Sequence, residues 1–195
     1  MMFRLNVPTE RGSVLNGVLF RSEEKRSADT VMIAITGIHG NFYSNPFYYN
    51  IGDTLNIENI DFIYAQTNDA FGQIETINVL TGKKETIGSW NERFSYTDED
   101  IDAFLTFAEE EGYEHIILAG HSLGANKVIY YLPALSRQSD LHDVRRDRTG
   151  KGDHQRTGRA RRRRSDASLP LHGMGGMCRQ HRLLHGKYRT IFLNY

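Results

Sequence analysis

Three short segments of the chain are almost continuously apolar, and they constrain the fold more than any other feature. They are Val31–Thr36, Ile60–Ala65 and Ile116–Ala119. A run of about four to eight apolar residues is typical of a strand that is covered on both faces. Such strands usually belong to a parallel sheet with helices packed on each side. The three runs therefore predict the centre of an α/β fold, to which residues 3–20 and Ile74–Ile87 each add two strands joined by a turn.

The segments between the apolar runs supply the helices that such a sheet needs. Three segments are helix candidates: Pro46–Asn56, Thr97–Glu111 and Ala125–Leu135. In the second, Ile101, Phe104, Leu105 and Ala108 recur at helical spacing, and in the third Pro133 interrupts the helical pattern. Thr97 or Asp98 is expected to cap the second helix with its side chain, and Gly112 is expected to end it.

A motif that carries chemistry follows the third apolar run directly. Gly120-His121-Ser122-Leu123-Gly124 fits the pattern G-x-S-x-G, and a helical segment comes after it. In a nucleophile elbow the serine lies on a tight turn between a strand and a helix. The positions on each side of it, which Gly120 and Gly124 occupy here, therefore require very small residues. The turn holds the serine hydroxyl at the carboxyl edge of the sheet, where a helix N-terminus stabilises negative charge. We therefore predict that Ser122 is a nucleophile; the alternative is a glycine-flanked turn with an idle serine.

A second glycine turn, Gly37-Ile38-His39-Gly40-Asn41, follows the first apolar run. With this His-Gly turn and the G-x-S-x-G elbow, roughly residues 3–135 resemble the first half of an α/β-hydrolase of the serine hydrolase branch. The resemblance implies a mostly parallel sheet with flanking helices that is incomplete at the C-terminus. It also implies an oxyanion hole built from the backbone N–H groups of Leu123 and Asn41, with Gly40 in the turn. The missing strands would leave an open edge with exposed apolar surface.

The activity that this resemblance implies is hydrolysis of an ester, a thioester or a similar acyl bond. Ser122 would attack the acyl carbon, and water would then hydrolyse the acyl-enzyme. No cofactor or metal is implied, and the expected partner is a small acyl-type substrate. Tyr43, Phe47, Tyr48 and Tyr49 are candidates for lining its pocket, although aromatic residues at this spacing are more typical of a core.

The acid and the histidine of a catalytic triad have weaker support than the serine. In the family both follow the serine along the chain, and Asp166 and His185 satisfy that order. However, no apolar strand precedes any downstream aspartate, and a triad needs rigid strand ends to hold its hydrogen bonds. His39 is interpreted as a buried turn residue and His121 as a packing residue. A catalytically dead hydrolase remnant is therefore the alternative to an impaired enzyme.

The charge of the chain divides sharply between its two parts. The formal net charge is zero, but residues 1–135 carry 9 Lys/Arg and 19 Asp/Glu, whereas residues 136–195 carry 15 and 5. The first part also holds 20 of the 22 Ile and Val residues. Residues 136–195 therefore have too little apolar surface to bury, and its burial cannot offset the conformational entropy that is lost when a chain becomes ordered. We therefore predict a hydrolase-like part at 1–138 and a basic, disordered tail at 139–195.

Three interpretations of this basic tail are open. The arginines of Arg145–Arg164 are typical of an arm that binds a polyanion, but they lack interleaved aromatic residues, so nucleic acid is not the favoured partner. A solvated tail without a partner is the second interpretation. The third is a frameshift or deletion shortly after Arg137. Read one base later, the codons of Gly173-Met174-Gly175 contain a tryptophan codon, and synonymous choices turn Lys151–Arg163 into an amphipathic helical pattern. We favour this last hypothesis, because it replaces an arginine run with a sequence that can fold.

Composition excludes several other classes. The single cysteine, Cys178, cannot form an internal disulfide, so no oxidising compartment is required. No apolar stretch approaches the roughly 18 residues of a membrane span, and the N-terminus has no signal-peptide run. The sequence has neither metal-type Cys/His spacing nor a phosphate-loop pattern. We therefore expect a cytoplasmic protein with no metal and no membrane partner; the sequence does not indicate an oligomeric state.

Overall fold

A computed structural model describes residues 1–21, 28–42, 44–133, 178–183 and 188–193, and only the backbone of 178–183 and 191–193. The strands of this described part are β1 (Met2–Pro8), β2 (Val14–Phe20), β3 (Thr30–Ile35), β4 (Asp61–Gln66), β5 (Ile74–Ile77), β6 (Lys84–Ile87), β7 (His115–His121), β8 (Cys178–Leu183) and β9 (Tyr188–Leu193). The helices are α1 (Phe47–Ile57), α2 (Thr97–Glu110) and α3, which runs from residue 123 to 133, with 3-10 turns at Ser89–Asn91 and Phe94–Tyr96.

Seven of these strands form one sheet in the order β1-β2-β4-β3-β7-β9-β8. The neighbours β4, β3, β7 and β9 run parallel, whereas the outer pairs β1–β2, β2–β4 and β8–β9 are antiparallel. β5 and β6 form a separate hairpin. The three apolar runs are β3, β4 and β7 at the centre of the sheet. The predicted α/β class, with a mostly parallel central sheet and flanking helices, is thus confirmed.

The side chains of β3 show how the sheet separates two cores. Val31, Ile33 and Ile35 pack with residues of α2 and α3, whereas Met32 and Ala34 pack on the opposite face with residues of α1. All five side chains are buried. Because burial of a large apolar side chain stabilises a fold by roughly 1.5–3 kcal/mol, β3 is held firmly from both faces. The position of its carboxyl end, where the glycine turn at residues 37–41 begins, is fixed accordingly.

The start of α2 differs from the prediction. Neither Thr97 nor Asp98 caps the helix: the N-cap is Tyr96, which makes no capping hydrogen bond through its side chain. The reason is that the 3-10 turn Phe94–Tyr96 already has helical backbone angles, so the chain enters α2 without the extended residue that a side-chain cap requires. The predicted stop is confirmed, because Gly112 has a φ of 89°.

Two strands lie in the segment where no regular structure was predicted. β9 pairs in parallel with β7, and β8 pairs with β9. Tyr188 and Thr190 are buried, and the Tyr188 hydroxyl donates a hydrogen bond to Glu109 on α2. The edge of β7, expected to be open, is therefore paired. Beyond these strands, the predicted tail lies outside the described residues.

Candidate active site

Ser122 occupies the turn between β7 and α3. It has a φ of 55°, one of four positive values among the described residues that are not glycine, and its side chain is exposed. This left-handed conformation costs an L-residue about 1–2 kcal/mol, so it persists only where the surrounding structure imposes it. The backbone carbonyl of Ser122 accepts a hydrogen bond of 3.0 Å from the Ala125 N–H as α3 begins. The turn thus presents the hydroxyl at the carboxyl edge of the sheet.

The two glycines of the elbow have no space for a side chain. A Cβ placed on Gly120 would lie 2.6 Å from the Ala125 Cα, and one on Gly124 would lie 2.1 Å from the backbone oxygen of Ile35. Both obstacles are backbone atoms, which cannot rotate away. Tight packing of α3 against β3 and β7 therefore explains both glycines of G-x-S-x-G.

The glycine turn after β3 is held by its own backbone and by the loop after β4. The Gly40 N–H donates to the Gly37 carbonyl at 2.8 Å, and the His39 N–H donates to the Asp69 carbonyl at 3.1 Å. Thr36 Oγ1 donates to the Gly40 carbonyl at 3.0 Å. The Gly40 N–H is therefore engaged within the turn itself.

Asn41, the predicted donor, begins a second turn that leads into α1. Its side-chain Nδ2 donates to the His39 carbonyl at 3.0 Å, and its Oδ1 accepts from the Ser44 N–H at 3.1 Å. Its carbonyl accepts from Asn45 Nδ2 at 3.0 Å. Leu123, the other predicted donor, is the first residue of α3, and the first four N–H groups of a helix have no partner within that helix.

A cleft of about 240 Å³ joins the two turns. Its lining comes from the end of β3, the glycine turn, the start of α1 and the elbow: Thr36, Gly37, Ile38, His39, Gly40, Ser44, Asn45, Tyr48, His121 and Ser122. The structure thus brings the predicted Ser122 and Gly40 together, while Asn41 and Leu123 adjoin lining residues along the chain. The expected burial of His39 is wrong, because its side chain is exposed and contacts Ser89 Oγ through Nδ1 at 3.0 Å.

His121 packs beside Ser122. Its ring centroid lies 5.7 Å from that of Phe47 and 6.3 Å from that of Tyr48, both in edge-to-face geometry. Burial lowers the pKa of His121, so the imidazole is neutral at pH 7. Of the four aromatic candidates for a pocket, Tyr48 lines the cleft and is also fully buried in the core. Tyr43 lies outside the described residues.

The predicted triad partners Asp166 and His185 also lie outside the described residues. Within the part of the chain that the structure describes, no side chain forms a hydrogen bond with Ser122 Oγ. The same part holds no group of three His, Cys, Asp or Glu residues that could bind a metal ion. None of its helices is both long and apolar enough to cross a bilayer.

A charged cluster near the elbow was not predicted from the sequence. Lys127, on α3, is 1% exposed, and its Nζ lies 3.1 Å from Asp69 Oδ1 and 2.7 Å from Glu92 Oε1. One signal was available, because Lys127 is the only lysine or arginine between Arg93 and Arg137. A single lysine in a mostly apolar helical segment is expected to pair with a carboxylate, since buried charges are paired.

The mostly parallel sheet with helices on both faces is the α/β-hydrolase fold. Solved structures with this fold are similar to the chain. The esterase Est1E from Butyrivibrio proteoclasticus with bound ferulic acid has 19% identity and a TM-score of 0.53, over 70% of this chain and 48% of that one. Esterase Pf2001 from Pyrococcus furiosus has 13% identity and a TM-score of 0.51, over 67% and 45%.

A third structure, the lid-free α/β serine hydrolase XC6422 from Xanthomonas campestris, has 14% identity and a TM-score of 0.51, over 69% of this chain and 56% of that one. The chain thus spans about half the length of these structures. Neither a protein-family profile nor a curated protein matches the sequence. At these identities the comparisons establish the fold.

Proposed function

We propose that this chain carries the nucleophile half of a serine hydrolase that acts on an ester, thioester or similar acyl bond. The observation that carries the proposal is the conformation of Ser122: an exposed hydroxyl on a left-handed turn at the end of a parallel strand. Backbone strain of this kind is retained where function needs it. The esterases and serine hydrolases among the similar structures support the same chemistry.

The proposed reaction begins with attack of Ser122 Oγ on the acyl carbon. The N–H groups of Leu123 and Asn41 would hold the oxyanion of the tetrahedral intermediate, and loss of one such donor typically costs about 3 kcal/mol. Collapse of the intermediate expels the alcohol or thiol and leaves an acyl-enzyme, which water hydrolyses. Asp166 and His185 are the residues that we propose, from their order in the sequence, as the acid and the base.

The direct test is labelling of Ser122 by a fluorophosphonate probe, followed by mass spectrometry of the modified peptide. The full chain is compared with Ser122→Ala, and Ser95→Ala serves as a control because Ser95 is exposed and lies in the 3-10 turn before α2. Labelling of the unmodified chain and of Ser95→Ala, but not of Ser122→Ala, supports the proposal. Equal labelling of all three proteins contradicts it. Turnover of small p-nitrophenyl esters and of a feruloyl ester then measures activity.

Two alternatives predict different results. A catalytically dead remnant would bind no probe at Ser122 and turn over no ester, as expected if the triad is absent. A polyanion-binding protein would be retained on heparin in a salt-sensitive manner that is lost when residues 139–195 are removed. The frameshift hypothesis is tested separately by the gene sequence. It fails if the next frame across codons 140–186 contains stops or lacks periodic apolar residues.

A further inference from the structure

A buried ion-pair cluster on α3 is not used by the proposed chemistry. Lys127 Nζ contacts the carboxylates of Asp69 and Glu92, and the side chains of Lys127 and Asp69 are 1% and 0% exposed. Thr67 Oγ1 completes the cluster, 3.3 Å from Lys127 Nζ and 2.5 Å from Asp69 Oδ1. Buried charges of this kind are strongly held by their partners, because separating them would leave an uncompensated charge in the protein interior.

The members of this cluster come from three separate segments. Lys127 lies five residues after Ser122 on α3, whereas Thr67 and Asp69 belong to the loop that follows β4. Glu92 follows the 3-10 turn Ser89–Asn91. A single ammonium group therefore joins the helix that starts at the nucleophile to two loops.

Both loops also contact His39 in the glycine turn. The backbone carbonyl of Asp69 accepts the His39 N–H at 3.1 Å, and Ser89 Oγ lies 3.0 Å from His39 Nδ1. His39 is two residues before Asn41, the proposed oxyanion donor. A continuous path of short contacts thus runs from the helix of Ser122 through Lys127 and the two loops to the turn that would bind the oxyanion.

We propose that Lys127 is a positioning residue that fixes the distance between Ser122 and the turn containing His39 and Asn41. This proposal rests on the proposed function of Ser122. Stability alone does not explain the lysine, since replacing a buried ion pair by apolar side chains of similar volume is often neutral or stabilising. A role in positioning does explain the buried lysine, because the reacting groups of an active site must be held within fractions of an ångström of their productive geometry.

The test compares two sets of charge-neutralising substitutions in the full chain. The first is Lys127→Met with Asp69→Asn and Glu92→Gln, which removes the charges without leaving one unpaired. The matched control is Lys84→Met with Glu75→Gln, which neutralises an exposed ion pair of 3.6 Å on the β5–β6 hairpin. For each protein, one measures the melting temperature, the exchange rate of the His39 amide by NMR, and the fluorophosphonate labelling of Ser122.

We expect the triple variant to melt near the unmodified protein, while its His39 amide exchanges at least about tenfold faster. Its first-order labelling rate should fall by at least about tenfold with unchanged affinity for the reagent, since misplacement of the turn affects the reacting geometry. The control should change none of these quantities. Exchange of the His39 amide at the unmodified rate overturns the positioning role, whatever the labelling shows.

Failure of the proposed function gives a different pattern. If Ser122 is unlabelled in the unmodified chain but His39 exchange accelerates in the triple variant, the nucleophile assignment fails. The role of Lys127 in positioning the glycine turn is then still supported. Should the triple variant not fold, Glu92→Gln alone leaves the Lys127–Asp69 pair intact. It is expected to accelerate His39 exchange to a smaller extent, and unchanged exchange there counts against the proposal.

Discussion

Gly37 lies so close to Ser122 that the glycine turn and the serine leave no room for a methyl group between them. A Cβ on Gly37 would be 2.7 Å from Ser122 Cβ and 3.0 Å from Ser122 Oγ. Contacts between carbon atoms are optimal at about 3.5–4.0 Å, so either the turn or the serine would have to move. The two turns that line the cleft are therefore in direct van der Waals contact, and the glycine at position 37 makes this contact possible.

Replacing Gly37 by alanine should reduce the reactivity that we propose for Ser122 while the fold survives. We expect Gly37→Ala to reduce the fluorophosphonate labelling rate of Ser122 by about 100-fold, because a displacement of about 1 Å has that effect on reacting groups. Gly72→Ala is the matched control, since a Cβ there would meet its nearest neighbour at an ordinary 3.6 Å. Equal labelling of both variants would show that the close contact has no influence on reactivity.

The strained backbone of Ser122 should be detectable in the free energy of unfolding. Glycine adopts a φ of 55° without penalty, so we expect Ser122→Gly to be more stable than Ser122→Ala by about 1 kcal/mol. At Ser95, which has no positive φ, the order should reverse, because glycine costs about 0.5–1 kcal/mol in an ordinary helical position. Urea unfolding of the four variants measures both differences. The same order at the two sites would argue against stored strain.

The lowered pKa of His121 makes a pH dependence of stability predictable in sign. Below its usual value of 6.5 the unfolded chain binds a proton that the buried imidazole does not, so stability falls as the pH decreases from 6.5 towards the lowered pKa. Above pH 6.5 this contribution is fully present. We expect His121→Gln to flatten the slope of unfolding free energy between pH 7 and the lowered pKa. Parallel slopes for the two proteins would show that His121 does not titrate differently on folding.

The pairing of β9 with β7 can be tested through one buried side chain. Tyr188 is 5% exposed and its hydroxyl bonds to Glu109, so Tyr188→Ala should destabilise the protein by about 3 kcal/mol. The neighbouring Arg189 is exposed on the other face of the strand, and Arg189→Ala should change the unfolding free energy by less than about 0.5 kcal/mol. If neither substitution changes the unfolding free energy, the result contradicts the pairing of β9 with β7.

Features that depend on neighbouring residues could be predicted from the sequence, whereas contacts between distant residues could not. β3, β4 and β7 were predicted because their apolar side chains are consecutive, and the elbow because its glycines sit beside Ser122. The contact of Lys127 with Asp69 joins residues 58 positions apart, and no local pattern reports such a pair. Ion pairs of this kind depend on the tertiary fold.

The strands of the basic segment show a different reason for failure. Tyr188-Arg189-Thr190 alternates large or β-branched residues with an exposed arginine, which is a strand pattern. The average composition of residues 136–195 concealed it. At Thr97 a local signal was misleading instead. Threonine is a good capping residue, but the 3-10 turn before it already has helical backbone angles, so Thr97 does not cap α2.

The position of β9 in the sheet has a consequence for how the chain folds. Ile116 of β7 is paired with Tyr188 of β9, whereas Val31 of β3 is paired with Asp61 of β4, a much smaller separation along the chain. Contacts between distant residues form late, because the entropy of closing a long loop is lost before the contact repays it. Refolding should therefore pass through a period in which the apolar edge of β7 is available to other molecules. Yield will then depend on concentration, and dilute refolding will favour the correctly paired sheet over aggregates.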